Sequence, residues 1–430
     1  MKRKDFLLSV ATAVAGGAML PGFQTAHGKT DPLRLLPAID PADEQFWKLL
    51  REEFPLTHER AYLNTGGLGA SPYVVIDAVK GKMDELERVC ETGHDEEIWK
   101  SIKVSAGRLL GCDAEELAFT RNTTEGVNIV ANGFPLKQGD EIITTTHEHV
   151  GNALTWIGLE KRAGTVMKFF EPSTHSQQEN LDRIEKLITR RTRLISIPHV
   201  VTTTGLIMPI KEIARLAKAK NVWFFVDGAQ AAGMVPFSLH DLGCDAWATS
   251  GHKWLMGPKE TGLLYVRKEM LDTIAAKHIG AYSDGGTGFD FEKGTMSLNA
   301  GAQRYEYGTV SVPLRVGLGA AIDFIHRIGM ENVWKRDKAL SNRLFEGLGS
   351  IPDIKVLSPA DDTMRSAMIT FMHEKVPYQE VQKQLTSCDL RTRGVGEGGL
   401  AALRISTHIY TMPEEVDRVL EGARTIKKPN

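Results

Sequence analysis

Residues 222–255 constrain the fold of this 430-residue chain more than any other stretch. The run Val222, Trp223, Phe224, Phe225, Val226 is apolar and β-rich, and it ends on Asp227 and Gly228. A run without polar alternation is the mark of a strand covered on both faces, and such strands belong to parallel sheets wrapped by helices. A second run, DAWATS, hands over to Ser250, Gly251, His252 and Lys253. Open α/β sheets bind ligands in the crevice at the carboxyl ends of their strands. Two neighbouring strand ends would therefore bring a carboxylate and an amine to one site.

The segments TVMKFFE, LDRIEKLI, RLISIPHV, IKEIARLAKAK and VWFFV alternate as strand, helix, strand, helix, strand. The crossover rule makes this a mainly parallel sheet wrapped by helices. Beyond Lys253, GLLYV reads as a strand returning from the site. PLRVGLGAAIDFIHRI reads as a connecting helix, and the strands and helices after it as a smaller α+β layer. This divides the chain into a large domain, 61–310, and a small domain made of 40–60 and 311–430. In the first part of the small domain Phe46, Leu49, Leu50 and Phe54 recur at helical spacing, which predicts a helix packed on the C-terminal part. Residues 280–296, Gly-rich and aperiodic, read as a mobile loop near an entrance or a subunit boundary.

Charge excludes some classes of partner. With 52 basic and 54 acidic side chains there is no basic excess to hold nucleic acid. Cys90, Cys112, Cys244 and Cys388 have no metal-site spacing, and His147 and His149 have no third ligand in sequence, so no metal is expected. The first 28 residues have a basic start, an apolar run broken by small residues, and a polar tail with Gln24, Thr25 and Ala26. This is the layout of a signal peptide, too short for a comfortable membrane span. Arg3, Lys4, Asp5, Phe6 and Leu7 resemble a twin-arginine motif with lysine in the second place. Residues 1–30 are read as an export leader for a periplasmic protein, the alternative being a cytoplasmic one, with no other membrane association.

Asp227 alone also reads as the cap of a following helix, and Lys253 alone as a surface lysine. Together they are the acid and amine that pyridoxal 5'-phosphate requires. The lysine forms the internal Schiff base, and the aspartate keeps the pyridine nitrogen protonated so that the ring can accept electrons. A strand, LAF, runs into Arg121, Asn122, Thr123, Thr124, Glu125 and Gly126 and then a helix, where hydroxyls and free backbone N–H groups make an anion site. The combination of VWFFVDGAQ, SGHKW, TTEGVN and EHVGN resembles the class V branch of the fold-type I pyridoxal-phosphate enzymes. That group includes cysteine desulfurases, selenocysteine lyases, kynureninases and isopenicillin N epimerases.

The resemblance implies an α/β fold with a seven-stranded, mainly parallel sheet and a smaller C-terminal domain. It implies that Thr123 and Thr124 hold the phosphate, that His149 stacks on the ring, and that Ser250, His252 and Lys253 complete the cofactor site with Asp227. His147 is expected to be a partly exposed bystander. Thr202 stands where desulfurases place an asparagine near the ring oxygen, a contact that could rest on Gln230 instead. Thr309, in RYEYGT, matches the residue given to a neighbouring subunit's phosphate, which implies a homodimer. Arg404 matches the arginine that holds the substrate's α-carboxylate, a role its planar fork suits. The glycines of AYLNTGGLGASP either border the substrate pocket or form an ordinary turn.

Such a site removes the Cα proton of an amino acid, with freed Lys253 as the base. Desulfurases carry a nucleophilic cysteine on the loop before the carboxylate arginine. Residues 391–399 here contain none, and Cys388 reads as a buried structural thiol. The expectation is thus an isopenicillin N epimerase-like enzyme, an epimerase or aminotransferase acting on an amino acid or the amino-acid moiety of a peptide. Two alternatives stand beside it: a sulfur or selenium lyase of desulfurase type without the loop cysteine, and a pyridoxal-phosphate-binding protein without catalysis.

Overall fold

The computed structural model describes residues 39–428; the leader-like start lies outside them. The described chain opens with helix α1 (Glu44–Arg51), capped by the Asp43 side chain accepting from Gln45 N–H. Arg336 pairs with its Glu44 at 2.6 Å and lies over its Trp47 ring, so α1 packs on the C-terminal part as its apolar spacing predicts. Helices α2 (Tyr73–Val89) and α3 (Glu96–Leu110) follow.

The seven-stranded sheet comes next. Its strands are β1 (Leu117–Thr120), β2 (Glu141–Thr145), β3 (Val166–Phe170), β4 (Thr192–Pro198), β5 (Trp223–Asp227), β6 (Ala246–Ser250) and β7 (Gly262–Val266). They lie in the order β1-β7-β6-β5-β4-β2-β3. The pairs from β6 through β5, β4 and β2 to β3 are parallel. Only β7, the strand that returns from the Lys253 turn, is antiparallel to its neighbours β1 and β6. Helices α4 (Thr123–Gly133), α5 (Val150–Ala163), α6 (Gln177–Leu187), α7 (Ile210–Ala219) and the single turn α8 (Leu239–Leu242) make the connections. Both faces of β6 and β7 are buried, which is why these segments carry no polar alternation.

Residues 280–296 differ from expectation. They contain an antiparallel hairpin, β8 (Asp284–Asp290) and β9 (Thr295–Leu298), with Thr295 opposite Asp290. The turn is held by Asp290, whose carboxylate accepts from the N–H groups of Glu292 and Lys293. Backbone pairing needs no side-chain periodicity, so a glycine-rich hairpin leaves little pattern to read.

Helices α9 (Val312–Ile328) and α10 (Met330–Gly349) lead to a second, antiparallel sheet. It consists of β10 (Ile354–Val356), β11 (Met368–His373), β12 (Arg393–Val395) and β13 (Ala402–Ser406), in the order β10-β11-β13-β12. Helices α11 (Tyr378–Ser387) and α12 (Pro413–Arg424) complete this layer. Of the described residues, none lies in a helix long and apolar enough to cross a membrane.

One buried charge cluster ties α9 to the large sheet. Glu306 accepts from Lys103 of α3 at 2.6 Å, from Arg315 of α9 at 3.1 Å and from the Phe119 N–H of β1 at 3.1 Å. Arg315 also lies over the rings of Trp99 and Phe119. Removing the shared carboxylate leaves two cations without a partner in a dry place. Glu306→Ala is therefore expected to cost about 3–5 kcal/mol, read as a lowered denaturation midpoint; an unchanged midpoint would count against this account.

Candidate active site

Asp227 ends β5, and Ser250 ends the adjacent parallel strand β6. The two strands run the same way, so Asp227 and the turn that carries His252 and Lys253 open on the same edge. Between this edge and β13 lies a cavity of about 280 Å³, onto which Asp227, His252, Lys253 and Ser250 face. Thr123 and Thr124 reach it from the start of α4, His149 from the start of α5, Thr202 from the loop after β4, and Arg404 from β13.

Local sequence explains these placements. Asn122 caps α4 by accepting from Glu125 N–H at 3.0 Å, leaving the first turn of α4 beside Ser250. The Thr123 N–H donates to Ser250 Oγ at 3.0 Å, and the two hydroxyls lie 2.8 Å apart. His149 caps α5, its Nδ1 accepting from Gly151 N–H at 3.1 Å. Arg404 donates through Nη1 to the carbonyl and the hydroxyl oxygen of Thr202, both at 2.8 Å, and through Nη2 to Asn64 Oδ1 at 3.3 Å.

The electrostatics follow from burial. Asp227 accepts from Ala229 N–H at 2.9 Å. Burial raises its pKa, while that N–H and the Lys253 charge oppose the rise. Beside it Glu148 is wholly enclosed, and burial, reinforced by the charge of Asp227, pushes its carboxyl far above the usual range. Burial lowers Lys253 to about 8, with Asp227 pulling upward and Arg404 and Arg393 pushing further down. Burial, then the Lys253 charge, brings His149 and His252 to about 4, so both rings are neutral at pH 7.

The donor set can be tested against an anionic cofactor. Three cations, Lys253, Arg393 and Arg404, face the cavity with Asp227 as the anion between β5 and the lysine turn. Arg404 Nε, Arg393 Nη1 and His252 Nδ1 are buried without a hydrogen-bond partner. Buried donors left unpaired are costly, and a phosphate and a carboxylate would satisfy them. The carboxylate of Asp227 suits a protonated ring nitrogen, and the lowered pKa of Lys253 makes its amine available to an aldehyde. The residues present fit pyridoxal 5'-phosphate.

One expected contact lies elsewhere. Gln230 does not line the cavity: its amide donates to the Gly66 carbonyl at 2.8 Å and to Thr202 Oγ1 at 3.3 Å, and its oxygen accepts from Trp254 Nε1 at 2.8 Å. Its polar capacity is used within the chain, so it supports Thr202 from behind. Thr309 is exposed and lies in a separate groove with Arg121, Glu125 and Tyr307.

His147 is not a partly exposed bystander. It is buried, its Nδ1 lies 3.0 Å from Thr203 Oγ1, and Gly398 packs so closely that a Cβ there would come 2.4 Å from the ring. The preceding strand is buried throughout, so its end is covered as well. Cys388, expected to be buried, is exposed because it lies just past the end of α11, and it does not line the cavity.

Gly66 and Gly67, of the loop read either as a pocket border or as an ordinary turn, line the cavity. Arg393 escaped sequence reasoning. It stands opposite Arg404 in the β12–β13 register and forms a close ion pair with Glu397. Two arginines at facing positions of antiparallel strands are the signal that could have found it, since like charges there need an anion. Away from the cavity Asp113, Glu116 and His240 gather, but Glu116 is taken up by His240 and the N–H groups of Asp113 and Lys268.

Residues 91–419 match the family described as aminotransferase class-V. A probable cysteine desulfurase of Pyrococcus abyssi is 29% identical over 393 residues, covering 86% of this chain and 95% of the relative. The apo structure of a cysteine desulfurase from Thermococcus onnurineus superposes with a TM-score of 0.76 at 26% identity, covering 87% of this chain and 96% of that one. A cystine C–S lyase, solved with its reaction product cysteine persulfide, gives a TM-score of 0.79 at 25% identity, covering 87% and 100%. With the lysine, the aspartate and the arginine drawn into one cavity of this fold, the chain belongs to the class V aminotransferase family and is a pyridoxal-phosphate-dependent enzyme of fold type I.

Proposed function

We propose that this enzyme is a carbon–sulfur or carbon–selenium lyase that works without a cysteine nucleophile of its own. The observation that carries the reading is the loop before Arg404. Residues 391–399 bring Arg393 to the cavity but no thiol, in a chain whose quoted relatives are desulfurases and a cystine lyase. With no thiol to accept sulfur, the sulfur leaves with the part of the substrate that carried it, as it would from a disulfide such as cystine. The products are then a keto acid, ammonium and a persulfide or thiol. The isopenicillin N epimerase-like expectation predicts inversion at Cα or transfer of the amino group, in either case without loss of sulfur.

Pyridoxal 5'-phosphate, when bound, supplies the electron sink that makes the Cα proton acidic. In this reading Thr123, Thr124, Ser250 and His252 would hold the phosphate, and His149 would serve the ring face. Thr202 would serve the ring oxygen, and Asp227 would hold the proton of the ring nitrogen. Arg404 takes the α-carboxylate through its unpartnered Nε edge, and Thr202 and Asn64 fix the guanidinium plane. Lys253, lowered toward neutrality, takes the Cα proton and returns it where the leaving group departs. Thr309 acts in a second copy's site, which makes the working unit a homodimer. Export rests on the sequence of residues 1–30.

Product analysis on the purified protein decides between the readings. With L-cystine the lyase reading expects keto acid and persulfide, while inverted amino acid without keto acid would move the assignment to an epimerase. Lys253→Ala should lower turnover by at least about 10³-fold, and Arg404→Lys should raise KM by about 10- to 100-fold, the worth of a charged hydrogen bond. Lysine attacks as the free amine. The cofactor-free protein should therefore combine with pyridoxal 5'-phosphate faster as pH rises to about 8 and level off above it; a rate still climbing toward 10.5 would mean an unshifted lysine. Thr309→Ala should weaken cofactor binding only if light scattering finds a dimer. Protein recovered from a periplasmic extract should begin beyond residue 26 if the leader is removed, whereas retention of Met1 in a cytoplasmic fraction would end the export reading.

A further inference from the structure

Trp254, the residue after Lys253, is held at both ends. Its indole Nε1 donates to Gln230 Oε1 at 2.8 Å, and its backbone carbonyl accepts from His408 Nε2 at 3.0 Å. His408 lies just past the end of β13 and is fully buried, its ring edge-on to the Trp254 indole at 5.2 Å. The other side of the imidazole, Nδ1, meets the carboxylate of Asp337 at 3.0 and 3.3 Å. Asp337 belongs to α10 and is also fully buried. A carbonyl can only accept, so Nε2 must carry hydrogen, and the Asp337 carboxyl group on Nδ1 holds the ring in the orientation that aims Nε2 at Trp254.

The lysine turn needs such a fixing. Met256 has φ +58°, a left-handed conformation that a side chain other than glycine adopts only when its surroundings enforce it. Before Lys253, the Gly69 N–H donates to the His252 carbonyl at 2.7 Å. A Cβ on Gly69 would lie 1.9 Å from the Lys253 carbonyl oxygen, so that position admits glycine alone. After Lys253, the corresponding hold is the His408 donation to Trp254. We infer that His408 and Asp337, which lie outside the cavity, are positioning residues that set the place of the Lys253 amine. The single segment from Arg404 to His408 then fixes both the arginine and the lysine, and with them the distance between a substrate's carboxylate and its reacting carbon. The inference rests on Lys253 being the cofactor lysine and not on which substrate is cleaved.

Two substitutions separate positioning from bulk stability. In His408→Gln the longer amide reaches the place of Nε2 and still donates to Trp254. In His408→Asn the amide reaches only the place of Nδ1, so the Asp337 contact survives and the Trp254 bond is lost. The readouts are the rate at which the cofactor-stripped, full-length chain recovers its visible absorption with pyridoxal 5'-phosphate, and the split between kcat and KM. The Kd for propionate, an unreactive carboxylate, probes Arg404 separately.

His408→Asn is expected to slow recovery and lower kcat by about 10- to 100-fold, the cost of a misplaced reacting group, with KM and propionate binding little changed. His408→Gln should stay near the unaltered protein. Equal behaviour of the two variants, or a lowered melting temperature with normal recovery in both, would overturn the inference. In the unaltered protein the ¹⁵N spectrum should show hydrogen on His408 Nε2. An Nε2 without hydrogen would overturn it even if neither variant folds. Loss of lyase activity with normal cofactor recovery would count against the proposed reaction and leave this inference standing.

Discussion

Burial of Lys253 beside Asp227, with Arg404 and Arg393 close by, is the constraint on which the rest of the structure depends. Enclosed charges are costly unless they are paired and hydrogen-bonded, and this cavity gathers more positive charge than Asp227 can balance. The chain tolerates it by fixing each group from outside: Thr202 and Asn64 on Arg404, Ala229 on Asp227, and Glu397 on Arg393. Some donor atoms of Arg404 and Arg393 remain unpaired, and an anionic cofactor and a carboxylate substrate would complete the balance. The same burial turns a lysine of ordinary basicity into an amine that is partly neutral near pH 8.

Neither sheet could make this site alone. The parallel sheet brings Asp227, Lys253 and the two helix starts to one edge, and the antiparallel sheet supplies both arginines. The joint between them is polar and continuous. From Trp254 it runs to Gln230, from Gln230 to Thr202, and from Thr202 to Arg404. His408 and Asp337 close the path back to Trp254. A shift of β13 relative to β6 would therefore disturb the carboxylate arginine and the lysine turn together.

Much of this was legible in the sequence. Buried parallel strands such as VWFFV and LISI lack polar alternation, and their order fixes the crossovers, so the large sheet could be read in advance. Asp227, Lys253 and Thr123 stand at strand ends or a helix start, where local pattern marks the place, whereas His149 was singled out by the resemblance of EHVGN to the class V enzymes. What stayed hidden depends on contacts distant in sequence. Arg393 matters because β12 pairs with β13, Gln230 turns away because Trp254 and Gly66 claim it, and His147 is covered by Gly398 of a loop far along the chain. The hairpin at residues 284–298 was missed because backbone pairing between glycine-rich strands leaves no side-chain rhythm.

The account stands on Lys253 as the residue that holds the cofactor; the lyase reading, the carboxylate role of Arg404 and the His408 clamp all build on it. The most direct test is to load the full-length protein with pyridoxal 5'-phosphate, reduce it with borohydride, digest it and locate the modified peptide by mass spectrometry. The account predicts a phosphopyridoxyl group on Lys253. An unmodified Lys253, or the same mass on another lysine, would contradict it.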